Sequence, residues 1–150
     1  MGAYGAAAFF RSRGAEAAAR GVERDWADEK RLGAFWAGLA REIDSAYAAW
    51  PTDSAARVLA RDSVYARARR QLVDSLAPLM TGVDTARLAR VPLNNAVLLA
   101  RRTYARELDL FDAALEQSGH DLRRAIEAIR KAVEGAPDPF AALRARVASR

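Results

Sequence analysis

Cysteine is absent from the sequence, and histidine occurs once, at position 120. The lack of cysteine excludes disulfides, thiol nucleophiles and every cysteine-based metal site. With a single histidine, one copy of the chain cannot form a histidine-rich metal site, and a Ser-His-Asp arrangement would have to use His120. No run approaches the roughly 18 consecutive apolar residues that a membrane helix needs, so the sequence predicts no transmembrane segment.

The short motifs of several enzyme classes are also missing. There is no Gly-x-x-x-x-Gly-Lys phosphate loop, no dinucleotide-type glycine fingerprint, no nucleophile elbow and no His-Glu-x-x-His zinc helix. No segment shows the sustained alternation of a strand, and no repeat of fixed length occurs. A chain of 150 residues can bury a core of its own. We therefore predict a single helical domain over residues 1–150.

The charge is weakly basic and mixed. The 24 basic and 19 acidic residues leave a formal charge of +5, and the first fifty residues are neutral. A dedicated nucleic-acid binder gathers its basic residues into a patch. No specific nucleic-acid partner is predicted, and weak nucleic-acid binding is the least favoured of the alternatives.

The positive signal is helical periodicity, which predicts an all-α bundle of five to six helices that contains a long helical hairpin. The expected elements are a helix from Ala6 to Arg13 with Phe9 and Phe10 buried, a long helix from Ala15 to Trp50, a helix capped by Thr52 or Asp53 that Pro78 kinks or ends, a short turn beginning at Asp84 or Thr85, the hairpin within 92–133, and a short closing helix carrying Phe140, Leu143 and Val147. Glycines inside the long helix also allow a break near Gly21.

The hairpin has the strongest pattern. Its first arm places one stripe at alternating spacings of four and three, namely Val97, Arg101, Tyr104, Leu108, Phe111 and Leu115. Gly119 ends this arm, and Asp121 can cap the second arm. The second arm carries the stripe Leu122, Ile126, Ile129 and Val133. Both stripes predict packing faces.

Asn94 and Asn95 are the most informative polar pair, because they stand where the first arm of the hairpin begins. One interpretation is that one side chain caps the helix and the other forms an interior or loop hydrogen bond. The alternative is that the pair binds a ligand together with Arg101 or Tyr104. We favour the first interpretation.

Two further sets of polar residues have plain structural interpretations. His120 lies between Gly119 and Asp121, and we favour a turn residue over a catalytic base, since a base needs a nucleophile or water beside it in a cleft. Acidic side chains follow one another at three- and four-residue spacings, at Asp109, Asp112 and Glu116. We favour ion pairs with Arg102 and Arg106 over acid-base chemistry.

The segment Pro92-Leu93-Asn94-Asn95-Ala96, with the leucines, Tyr104, Phe111, Gly119 and Asp121 that follow, resembles the C-terminal part of a family of bacterial zinc-dependent aminopeptidases. The resemblance extends to GAYGAAAFFRSRG near the start and to the helical region from Trp26 to Tyr65. It therefore covers most of the chain, and the Asn-Asn segment is its most specific part.

The resemblance implies a metallopeptidase in which a His-Glu-x-x-His helix and a later glutamate hold zinc, which polarises the scissile carbonyl and activates water. This chain lacks that motif. No catalytic, cofactor-binding or metal-binding residue is therefore carried over, and zinc is implied only for the full-length family. What carries over is a substrate-side or interface motif of Asn94, Asn95 and Tyr104, facing the missing catalytic part, and Arg101 joins it as the candidate ligand contact.

These observations predict the C-terminal helical portion of an aminopeptidase, inactive by itself, with a peptide substrate only in a full-length form. Its expected partners are a missing catalytic segment or a second copy of itself. The alternative function is a free-standing helical module for protein–protein interaction. The expected location is the cytoplasm if Met1 is the true start, and the bacterial envelope if the chain is part of a longer exported protein.

Overall fold

The computed structural model describes residues 1–104 and 107–149. These residues contain eight α-helices and no strand, which confirms the all-α prediction. The helices are α1 (Gly2–Ser12), α2 (Glu16–Ala49), α3 (Ser54–Arg70), α4 (Thr85–Ala89), α5 (Asn95–Tyr104), α6 (Asp109–Gln117), α7 (Leu122–Val133) and α8 (Pro139–Ala148). Within the described part of the chain, no helix combines the length and apolarity needed to cross a membrane.

The chain forms two compact units. The terminal unit contains residues 1–23 and 107–149, and the central unit contains residues 24–104. Helix α2 runs without interruption through Gly21, so the break allowed there is absent. It contributes its first turns to the terminal unit and the rest to the central unit.

In the central unit, α2 and α3 lie antiparallel. Near the end of α2, Glu42 pairs with Arg67 of α3 at 3.2 Å, while Asp28, much earlier in α2, contacts the chain beyond α3 at Thr81. A later residue of α2 thus contacts an earlier residue of the following segment, which is the pattern of antiparallel helices. Their shared core is apolar and is formed by Leu32, Phe35, Trp36, Leu39, Ala40, Ile43, Val64, Ala68, Leu72, Ala77, Met80, Leu88 and Leu98.

The hydrogen-bond pattern of helix α3 changes at its C-terminal end. It continues as a π-helical turn over Gln71–Leu76 and a 3₁₀ turn over Ala77–Leu79. The amide of Ala77 donates to the carbonyl of Leu72, five residues earlier. Pro78 provides the physical reason, because proline has no amide hydrogen and its ring clashes with the carbonyl four residues before it. Pro78 therefore ends the regular α-helix, as the sequence predicted, and the chain passes through a π-helical turn and then a 3₁₀ turn.

In the terminal unit, α6, α7 and α8 pack against one another. Ala125 of α7 and Leu143 of α8 are almost fully buried. Gly5 of α1 lies beside Leu122, close enough that an added Cβ would meet the leucine Cδ1 at 3.2 Å. Small residues thus allow close helix approach in this unit.

Aspartate caps stand at the starts of four helices, as the sequence allowed for three of them. Their carboxylates accept hydrogen bonds from backbone amides in the first turn, at Asp53, Asp84, Asp121 and Asp138. Such caps satisfy donors that have no partner inside the helix.

Three details of the sequence interpretation were wrong. Phe9 is 55% exposed rather than buried, and Ile126 of the second stripe is 52% exposed, because the neighbouring Ala125 takes the buried position. The first arm of the hairpin is not one helix. It is divided between α5 and α6, with Glu107 at a positive φ of 50°. A helix cannot continue through a left-handed residue. This division and the separate short helix α4 bring the described residues to eight helices, more than the five to six predicted.

Candidate functional site

Asn94 is the N-cap of α5. Its Oδ1 accepts a hydrogen bond of 2.9 Å from the amide of Val97, and its backbone carbonyl accepts from Leu98. These two bonds place the first turn of α5 directly after Pro92 and Leu93. The structure therefore gives Asn94 the capping role that the sequence favoured.

Asn95 has different partners, which lie on two other helices. Its Nδ2 donates to the hydroxyl of Tyr47 on α2 at 2.9 Å, and its Oδ1 accepts from the hydroxyl of Tyr65 on α3 at 2.7 Å. One amide group thus joins α2, α3 and α5. We call these three residues the tyrosine bracket.

The tyrosine bracket lies at the edge of the core. Tyr47 and Tyr65 are half-buried, whereas the Asn95 side chain is exposed. Burial raises the pKa of Tyr65, and the nearby Tyr47 raises it further, while the Arg61 guanidinium acts in the opposite direction. The tyrosine hydroxyls and the Asn95 amide can each donate and accept hydrogen bonds. The bracket can therefore bind hydrogen-bonding groups.

Arg101 has a separate neighbour. The carbon of its guanidinium lies 5.7 Å from the ring centroid of Trp36, a cation–π distance. The indole nitrogen of Trp36 is buried and has no hydrogen-bond partner within the described residues. The structure thus places Arg101 against Trp36 of the central core. The side chain of Tyr104, the fourth predicted site residue, lies outside what the structure describes.

Asp28 is a polar residue that the sequence analysis missed. It is fully buried, and its Oδ2 accepts from the amides of Thr81 and Gly82 at 2.9 and 2.7 Å. Its Oδ1 accepts from Arg31 at 2.8 Å. Burial by itself would raise the pKa of Asp28, but the two amides and Arg31 together hold the pKa below its ordinary value. We call this arrangement the Asp28 clamp.

A signal for the Asp28 clamp exists in the sequence. Asp28 precedes Leu32, Phe35 and Leu39 at spacings of four, three and four, which places a carboxylate on the apolar stripe of α2. A charge in a core position requires partners nearby. Arg31 lies three residues away on the same helix, but the partners Thr81 and Gly82 could not be read from the sequence, because they lie more than fifty residues away in a loop.

The remaining polar candidates occupy surface positions. His120 is exposed, has a φ of 61°, and its ring centroid lies 5.6 Å from that of Tyr4. Arg102 pairs with Asp44 of α2 at 3.2 Å. Arg106 lies outside the described residues. None of these contacts forms a constellation for proton transfer.

The described residues do not fit the zinc site that the resemblance implies for the full-length family. A catalytic zinc needs three protein ligands from histidine, cysteine or carboxylate side chains. In the described ranges, no group of three such residues is close enough to hold a metal. The one histidine is on a surface turn, and the buried Asp28 already accepts three hydrogen bonds.

A comparison with protein families gives the decisive observation. The family model described as putative aminopeptidase matches residues 1–139. The chain belongs to this aminopeptidase family. The match reaches from α1 to the first residue of α8, so it includes both the tyrosine bracket and the Asp28 clamp of this aminopeptidase-family chain. No curated protein and no solved structure matches it.

Proposed function

We propose that this chain is the helical portion of a zinc-dependent aminopeptidase, and that it holds no zinc and hydrolyses no peptide when it is alone. The family match over residues 1–139 carries the proposal. The expected inactivity of the isolated chain is supported by its metal-ligand chemistry, since no three such side chains in the described part of the chain lie close enough to hold a metal. The ligands of an active enzyme then come from polypeptide outside these 150 residues.

The tyrosine bracket gives the chain its proposed role in that enzyme. Asn95 is exposed and already bound on both sides of its amide, so its position is fixed by α2 and α3 before any partner arrives. A rigid group with spare hydrogen-bonding capacity is suited to position a peptide or a neighbouring segment. Asn94 fixes the start of α5 beneath it. We assign the pair to the face that meets the catalytic portion.

Arg101 contributes a cation to the same helix. Because its guanidinium lies over Trp36, its long side chain is oriented by the core. In the proposed enzyme it supplies positive charge beside the catalytic portion, and it takes no direct part in cleavage.

Two measurements on the purified chain test the proposal. The zinc content is measured by mass spectrometry after dialysis against zinc, and hydrolysis of aminoacyl-arylamides is followed with and without a chelator. We expect less than stoichiometric zinc and no turnover that the chelator removes. Stoichiometric zinc with chelator-sensitive turnover would show that the isolated chain is a complete enzyme and the proposal wrong.

A free-standing interaction module is the rival function. The observation that favours it is the exposure of apolar side chains on α3, where Leu59 is 71% and Val58 44% exposed. The rival predicts that the chain forms a defined dimer through α3, measurable as a concentration-dependent mass in light scattering. Conversion of that dimer to a monomer by Leu59→Lys, with no zinc and no turnover, would favour the module over the peptidase portion.

A further inference from the structure

A cleft between α7 and α8 collects three cationic side chains in the terminal unit. Its volume is about 500 Å³, and it is lined by Arg124, Glu127, Ala128, Lys131, Ala132 and Arg146. That volume falls within the range of roughly 300 to 1,000 Å³ common for small-molecule sites. The lining residues of α7 recur at spacings of three and four, so they share one face of the helix, and Arg146 of α8 faces them.

Arg146 is oriented by a hydrogen-bonded amide. Its Nη1 donates to Oε1 of Gln117 at 2.8 Å, and Nε2 of Gln117 donates to the carbonyl of Val147 at 2.7 Å. The second bond fixes which end of the Gln117 amide points at the arginine. Since a guanidinium carries five N–H donors, Arg146 keeps donors for a ligand while its head group is held in place.

The other two cations have little of their charge neutralised. Arg124 lies 3.5 Å from Asp121 and is 78% exposed, and Lys131 forms no ion pair among the residues that the structure describes. Glu127 is the one acid in the lining. Ala128 and Ala132 add apolar surface to the lining. With three cations and one carboxylate in the lining, the cleft carries an excess of positive charge.

We propose that this cleft binds a multiply charged oxyanion of the phosphate class. An arginine presents parallel N–H groups that match two phosphate oxygens, and a lysine adds a compact positive charge. A free phosphate ester and a phospholipid headgroup share this chemistry. The proposal is independent of the aminopeptidase assignment, because it uses no residue of the tyrosine bracket or the Asp28 clamp.

Calorimetric titration of the full chain with inorganic pyrophosphate tests the site. We expect one binding event whose affinity falls as salt rises. Lys131→Gln and Arg146→Gln should each weaken binding about fivefold, the effect of one unit charge at contact distance in water. Glu127→Gln should strengthen it, because the substitution removes the repelling carboxylate.

Arg130→Gln is the matched control, since it changes the net charge as Lys131→Gln does but lies outside the cleft lining. Its affinity should equal that of the unchanged chain. Equal losses for Arg130→Gln and Lys131→Gln would show general charge attraction and overturn the proposal, as would the absence of pyrophosphate binding. Circular dichroism verifies that Arg146→Gln is folded. If Arg146→Gln unfolds, Lys131→Gln still tests the site, because Lys131 is an exposed residue.

Vesicles distinguish the two sources of the phosphate group. Cosedimentation with vesicles of phosphatidic acid in phosphatidylcholine, competed by pyrophosphate and reduced by Lys131→Gln, would assign the cleft to a lipid headgroup. Pyrophosphate binding without cosedimentation would assign it to a soluble phosphate ester. Cosedimentation that Lys131→Gln does not change would contradict binding in this cleft.

Discussion

Replacing Asp28 is the perturbation whose effect the structure defines best. Asp28→Ala removes a fully buried carboxylate that accepts hydrogen bonds from Thr81, Gly82 and Arg31. These bonds hold the loop beyond the 3₁₀ turn against α2. The substitution removes these hydrogen bonds and also some buried volume, and the pH dependence of the loss separates the two contributions.

The expected loss is about 3 kcal/mol of unfolding free energy. A hydrogen bond to a charged group contributes about 1.5 to 3 kcal/mol, and removing one partner of a buried ion pair costs about 3 to 5 kcal/mol. The three bonds do not add fully, because Thr81 and Gly82 belong to an exposed loop and the Arg31 side chain is 45% exposed. Water can reach these groups once the carboxylate has gone. Asp28→Asn should cost about half as much, since its oxygen can still accept from the amides while its NH₂ faces Arg31.

The assay is urea unfolding followed by tryptophan fluorescence at several pH values. The Asp28 carboxylate has a lower pKa in the folded state than in the unfolded state. Its stabilisation is therefore complete above the unfolded-state pKa of about 3.9 and is lost as the pH falls through the lower folded-state pKa. We expect the difference between the unchanged chain and Asp28→Ala to be constant from about pH 7 to pH 5 and to narrow in stronger acid.

Glu29→Ala is the control, because Glu29 is an exposed carboxylate next to Asp28 on the same helix. It should change the unfolding free energy by less than about 0.5 kcal/mol, as surface substitutions usually do. An equally small effect of Asp28→Ala at neutral pH would refute the clamp. A large effect that persists unchanged in acid would show that the loss comes from packing and not from the carboxylate.

Two further substitutions test neighbouring contacts. Asn95→Ala should cost about 1 kcal/mol of unfolding free energy, since water partly replaces the two hydrogen bonds of this exposed amide. The substitution should also shift the near-ultraviolet circular dichroism of Tyr47 and Tyr65. An unchanged spectrum would contradict the tyrosine bracket. Gly82→Ala should be mildly destabilising, because an added Cβ would displace the exposed carboxylate of Asp25. Adding Asp25→Ala should recover most of the loss, and a loss that persists in the double variant would place the strain elsewhere.

Local rules were enough to predict much of the fold. Helical periodicity, Pro78 and the aspartates before helices are read from neighbouring residues, and the structure has the expected caps at Asp53, Asp84 and Asp121. Asn94 caps α5 for the same reason. These caps depend on hydrogen bonds that span only two or three residues, and the helices and Pro78 act over four or five, so a short chain segment contains the required information.

The division of the hairpin shows where local rules fail. One apolar stripe runs from Val97 to Leu115, yet Glu107 adopts a left-handed conformation and divides the stripe between α5 in the central unit and α6 in the terminal unit. A periodic stripe indicates which side chains are apolar. It does not indicate whether they pack into the same core.

Helical periodicity was sufficient to predict an all-α protein, the family match assigns it to the aminopeptidases, and a single histidine cannot form a His-Glu-x-x-His motif. The roles of Asn95 and Asp28 instead depend on tertiary contacts. The partners of Asn95 lie 30 and 48 residues away in the chain, and those of Asp28 at Thr81 and Gly82 lie 53 and 54 away. Contacts across such distances follow from how packed helices align, which no local pattern of residues specifies.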